Sequence, residues 1–167
     1  MQSERNFITV RVADFAGPDR ETVSRLVEAY LRQTETEKAN YLKGVAVERD
    51  LPERYRAEVD DPARTYESAV VYIAELDQTP VGVVVVQLSQ AAYEIKRVWS
   101  DPAARGRGVG SAMLDIATSR RDLPIRLTVW DWREDAVRLY RRRGFVHVAS
   151  WEEPPRLLCM ELRQASR

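Results

Sequence analysis

The residues best placed to do chemistry are Arg105-Gly106-Arg107-Gly108-Val109-Gly110. Glycines at alternate positions leave backbone N–H groups unshielded by side chains. Apolar spacing after them predicts a helix over 109–120, and a strand over 93–100 precedes them. A helix N-terminus adds unpaired N–H groups and the positive end of its dipole. Such a loop can hold an anion, above all a phosphate. No Gly-Lys-Ser/Thr follows, so it is not a nucleotide P-loop. Nor do Gly106, Gly108 and Gly110 give the G-x-G-x-x-G of a dinucleotide site. On the glycines alone, a phosphate site and a plain tight turn both stay open.

Around the loop the chain alternates strands and helices. Phe7, Ile8, Val10 and Val12 predict a strand over 6–13. Gly17-Pro18 opens a helix whose buried face is Val23, Leu26, Val27, Tyr30 and Leu31. From Arg32 to Glu67 the chain is polar, with room for one or two helical pieces such as 35–43. Strands are predicted over 68–76, 81–88 and 93–100, with turns at 77–80 and 89–92. The helix after the glycines presents Val109, Ala112, Met113, Ile116 and Ala117. A strand over 125–130 follows Pro124. Asp131 is placed to cap a helix over 133–143, with Ala136, Leu139 and Tyr140 inward and Gly144 at its end. Strands over 145–151 and 157–162 close the order. This is a mixed α/β sheet with helices packed on it.

At 167 residues the chain suits one domain, 1–167. Basic and acidic residues balance, 26 against 26, so overall charge implies no nucleic-acid partner. No apolar run is long enough for a bilayer, and residues 1–10 lack a signal-peptide core, so a cytoplasmic protein is expected. The single cysteine, Cys159, excludes an internal disulfide and reads as a small buried hydrophobe. His147, the only histidine, has no partner at metal-ligand spacing, so no metal is expected.

Two separated stretches carry a resemblance. Glu94-Ile95-Lys96-Arg97-Val98-Trp99-Ser100-Asp101-Pro102 followed by Arg105 to Gly110 resembles the acyl-CoA motif of the GNAT superfamily of N-acyltransferases. Leu139-Tyr140-Arg141-Arg142-Arg143-Gly144-Phe145 is similar to that family's second signature. The resemblance spans about 7–162 and is weakest over 32–67. It implies a mostly antiparallel sheet with a splayed parallel pair of strands, flanked by helices. It also implies acetyl-CoA as co-substrate. Its pantetheine arm would pair with the backbone of Val98 and Ser100 like an added strand. Its diphosphate would rest on the N–H groups of Gly106 to Ser111, with Arg105 and Arg107 as side-chain partners. Backbone N–H around Trp99 or Ser100 would polarise the thioester carbonyl. Arg133 stands where many members carry an Asn, and an arginine there is able to reach a phosphate instead.

The resemblance implies the expected chemistry too. A lysine-type amine, with a pKa of about 10.4, must lose a proton to attack a thioester. Glu94 is the candidate base, two strand periods before Val98 and therefore expected on that residue's face; the other reading is a carboxylate paired with Lys96 or Arg97. Tyr140 matches the family's tyrosine general acid. The leading expectation is an N-acetyltransferase acting in a ternary complex. The alternative is an acyl-CoA-binding sensor without catalysis. The acceptor is a small-molecule or peptide amine, its pocket expected from 30–66 and 151–158. Trp130, Trp132 and Trp151 either line that pocket or fill the core. Homodimerisation through a sheet edge is open.

Overall fold

β-Branched runs in the middle of the chain form the centre of a seven-stranded sheet. The computed structural model describes residues 6–46, 48–120, 122–152 and 154–163. The first five residues and the short tail after Arg163 lie outside it. The strands are β1 (Ile8–Val12), β2 (Ala69–Leu76), β3 (Thr79–Ser89), β4 (Ala92–Ser100), β5 (Ile125–Trp130), β6 (Val146–Val148) and β7 (Leu157–Leu162). Their spatial order is β1-β2-β3-β4-β5-β7-β6. Only β4 and β5 run parallel; every other neighbouring pair is antiparallel. The continuous run Val83-Val84-Val85 is fully buried, because β3 is covered on both faces.

The helices are α1 (Asp19–Tyr41), α2 (Glu53–Asp60), α3 (Pro62–Thr65), α4 (Val109–Ala117) and α5 (Glu134–Arg142). They divide the apolar interior into two cores. Val23, Leu26, Val27 and Leu31 of α1 pack on Val71, Ile73, Val83 and Val85. Met113, Leu114, Val137 and Tyr140 of α4 and α5 pack on Val84, Ile95, Leu127 and Met160 from the other face. Cys159 is buried in β7. Asp19 anchors the start of α1 by accepting from both Nη atoms of Arg11, at 2.6 and 2.9 Å.

Four local expectations change. The helical piece expected over 35–43 is the end of α1, which has no Gly or Pro between Asp19 and Tyr41 to interrupt it. The polar stretch also holds α2 and α3, neither with the apolar stripe that marks a helix in sequence. The helix after the glycine loop ends at Ala117, not near residue 120. There the Thr118 and Ser119 hydroxyls donate back to the carbonyls of Leu114 and Ile116, at 2.6 and 2.7 Å. Asp131 does not cap α5, because its carboxylate accepts from Arg156 instead, at 3.0 and 3.2 Å. The strand expected over 145–151 shrinks to Val146–Val148, since Ser150 and Glu152 bond each other in a turn.

Candidate active site

The site opens where the one parallel pair separates. β4 and β5 are in register only at Tyr93–Ile125, Glu94–Arg126 and Ile95–Leu127. Beyond Ile95 the strands diverge, as the resemblance implied. A bulge in β4 helps to drive the divergence. Val85 faces Lys96 but Val83 faces Trp99, so β4 holds one residue more than β3. Arg97 absorbs it with φ +56°. Past the bulge, the Asp101 N–H donates to Val81 O on β3, at 2.7 Å. Strand alternation therefore turns the N–H groups of Val98 and Ser100 toward the gap, and that of Trp99 toward β3.

The bulge corrects one expectation about Glu94. Ile95 and Val98 pack in the core of α4 and α5, whereas Trp99 packs with α1. Glu94 alternates with Ile95, and the extra residue shifts the phase. Glu94 and Val98 thus lie on opposite faces of β4 rather than on one.

Gly106 and Gly108 take φ +75° and +90°, left-handed values that favour glycine. Gly108 is the N-cap of α4 and offers no side-chain cap. The first intrahelical bond of α4 runs from Ala112 N–H to Gly108 O, at 3.0 Å. The N–H groups of Val109, Gly110 and Ser111 precede it and remain for an anion. Arg105 donates to Ser100 O at 3.2 Å and to Gln33 at 2.8 Å. Arg107 bonds Asn6. Both arginines are exposed at the mouth of the loop.

Two cavities flank this framework. The larger, about 840 Å³, is lined by Val98, Trp99, Ser100, Arg105, the glycine loop, Ser111 and Arg138. The smaller, about 300 Å³, is lined by Glu94, Tyr30, Thr34, Lys38, Tyr55 and Trp130. They share four residues: Val98, Arg133, Ala136 and Tyr140. The large one fits an extended ligand with a phosphate end, because its far wall is the N–H cradle. The small one fits a compact molecule.

Tyr140 stands at the junction, 6% exposed, and burial pushes its phenol well above the usual tyrosine value. Glu94 is half-buried, with Lys96 Nζ at 3.7 Å. Arg133 does not extend as a free phosphate ligand. It donates to Glu37 at 2.7 Å and to the Thr34 hydroxyl at 2.8 Å, both on α1. Trp99 donates to Gln33 at 2.9 Å, so its indole packs toward α1. Of the three tryptophans set aside for a pocket or a core, Trp130 lines the small cavity and Trp132 the large one. Trp132 stacks between Tyr41 and Trp130, with centroids at 4.9 and 4.6 Å. Trp151 is exposed, with Arg126 over its ring.

The sequence pointed to 30–66 as a pocket wall but singled out none of the polar residues on the far half of α1. Gln33, Thr34, Glu37 and Lys38 supply polar walls of both cavities. Nor did it find the pair between Glu58 and Arg97, which needs the bulge and α2 to be in place. The one available signal was the length of α1, roughly 34 Å for an unbroken helix of this size.

Fold and site together define an α/β architecture with a splayed parallel pair and a glycine cradle. An acetyltransferase (GNAT) domain model matches residues 67–147, in line with the resemblance carried by the glycine loop and the Tyr140 signature. Among solved structures it resembles PaiA N-acetyltransferase from Thermoplasma acidophilum, in complex with coenzyme A. Identity there is 17%, coverage 95% of this chain and 99% of that one, and the TM-score 0.69. It also resembles a GNAT-family acetyltransferase from Staphylococcus aureus Mu50, at 14% identity, 94% and 98% coverage and TM-score 0.66. A third is yncA from Salmonella typhimurium with its cofactor acetyl-CoA, at 16% identity, 96% and 95% coverage and TM-score 0.61. At these identities the likeness is one of fold. No curated protein matches the chain in sequence. Among the described residues no helix is long and apolar enough to cross a membrane.

Proposed function

We propose that this chain is an acetyl-CoA-dependent N-acetyltransferase acting by direct attack in a ternary complex. The observation that carries the reading is the meeting of two cavities at Tyr140, one floored by the glycine cradle and one walled by Glu94. A donor in the large cavity and an amine in the small one would meet there.

Acetyl-CoA supplies an activated thioester. The N–H groups of Val109, Gly110 and Ser111 hold its diphosphate, with charge neutralised by the α4 dipole. The N–H groups of Val98 and Ser100 face the splayed gap, where they pair with the pantetheine arm and polarise the carbonyl. Glu94 takes the amine proton, directly or through water. As the new C–N bond forms and the C–S bond breaks, Tyr140 gives its proton to the departing sulfur. Burial leaves the phenol protonated at neutral pH, so the proton is present to be given. Arg133 acts on neither reactant in this reading. It holds α1 against the start of α5, so that the shared wall of the two cavities keeps its shape.

The test is thiol release from acetyl-CoA with Tyr140→Phe. Turnover should fall strongly while acetyl-CoA binding measured by calorimetry stays intact. Unchanged turnover would remove Tyr140 from the chemistry.

A further inference from the structure

The small cavity meets its contents with charge of uneven sign. Its walls carry Lys38, Lys96, Arg97 and Arg133 against Glu94 and Glu152. Glu152 is exposed, and Glu94 faces Lys96 at 3.7 Å. The carboxylates that partner the other three cations stand outside this wall. Lys38 pairs with Glu35 at 2.7 Å, Arg97 with Glu58 at 2.6 Å and Arg133 with Glu37 at 2.7 Å. Each ion pair therefore puts its cationic residue, and not its carboxylate, on the cavity wall. Aromatic faces lie between those cations. Arg97 and Arg133 flank the ring of Tyr30, at 5.5 and 5.4 Å from its centroid. Lys38 Nζ stands 5.8 and 5.9 Å from the rings of Tyr55 and Trp130. A bare amine enters as a cation and meets four more. An anionic group on the same molecule offsets that repulsion and finds donors, since each guanidinium has more N–H groups than its partners take up.

We infer that the acceptor is an amine that also carries a carboxylate, of the chemistry of an α-amino acid, with an apolar or aromatic side chain. The inference rests on the reading of the small cavity as the acceptor site. The carboxylate sits toward Lys38, and the amine toward Glu94. Lys38 is the residue that reads the anion. Its ammonium is tied to one carboxylate on its own helix, whereas Arg97 and Arg133 are pinned across elements. An ammonium on a flexible stem turns to an incoming anion at little cost.

The test uses two probes of one skeleton and opposite charge, 3-phenylpropanoate and phenethylamine, titrated calorimetrically into the full-length protein. The carboxylate should bind at least about tenfold more tightly, a difference of about 1.4 kcal/mol. Lys38→Met, which keeps the apolar stem, should cut that preference to about threefold or less. Equal or tighter binding of phenethylamine, no binding of 3-phenylpropanoate, or a preference untouched by Lys38→Met overturns the inference. A transfer assay separates it from the function proposed above. Acetylation of phenethylamine in preference to phenylalanine would overturn the inference and leave the transferase standing. An intact carboxylate preference without transfer to any amine would do the reverse.

Discussion

The Arg97 guanidinium closes on Glu58 from Nε and Nη2, at 2.7 and 2.6 Å. The pair ties the β4 bulge to α2, and the Tyr66 hydroxyl completes it by donating to Glu58. Arg97 holds a left-handed φ of +56°, a backbone cost on the order of 1 kcal/mol for a non-glycine residue. The ion pair offsets that cost and fixes the point where β4 leaves β5.

Removing one partner of this pair should be expensive, because Glu58 is mostly buried. Glu58→Ala is expected to destabilise the fold by about 3 kcal/mol, by leaving the Arg97 charge uncompensated. In a chain of this size that lowers the melting temperature by roughly 6–12 °C. Calorimetric melting at pH 7 checks it, and a shift within 1–2 °C would mark the pair as incidental.

The same pair predicts acid sensitivity. Arg97 and Tyr66 overcome the opposing effect of burial and hold Glu58 below the ordinary value of 4.5. A carboxylate lowered on folding stabilises fully above its unfolded value, and that contribution is lost as pH falls through the folded one. The melting-temperature gap between wild type and Glu58→Gln should therefore be widest above about pH 5, and should narrow only as pH falls below 4.5 and through the lowered folded value. A gap that stays constant with pH would contradict the linkage.

Much of the fold was legible in the sequence because period and punctuation agree there. The valine run of β3, the capping of α1 by Gly17-Pro18 and the stop at Gly144 are all local signals. What escaped depends on contacts between distant residues. The β4 bulge leaves no mark in Glu94 to Ser100, so the predicted common face of Glu94 and Val98 was wrong by one step of alternation. Arg133 read as a phosphate ligand because Glu37 lies 96 residues away in the chain. The glycine loop was legible because the positive φ of Gly106 and Gly108 favours glycine, whatever packs nearby.

The cradle can be weakened without touching Arg105 or Arg107. Gly108→Ala adds a Cβ that meets Ile8 at an ordinary 3.5 Å, so the cost lies in the φ of +90°. That should destabilise the protein by about 1–2 kcal/mol and raise the acetyl-CoA dissociation constant about tenfold. A titration showing unchanged affinity would remove the loop from the binding site.

Glu94→Gln keeps the shape of the small cavity and removes the proposed base. We expect kcat/KM to fall about 100-fold. A loss within about threefold would pass the role to another group. For Tyr140→Phe we expect a loss in kcat of about 100-fold with acetyl-CoA affinity within about threefold. In the wild type, the raised phenol should keep the alkaline limb above about pH 10.

Thiol release from acetyl-CoA across a panel of amines, among them amino acids, polyamines, aminoglycosides and short peptides, tests the central claim most directly. Saturable release is expected with at least one acceptor, strongest for amines bearing a carboxylate. Binding of acetyl-CoA with no release for any amine would contradict it, and would leave a cradle that holds acyl-CoA without transferring its acyl group.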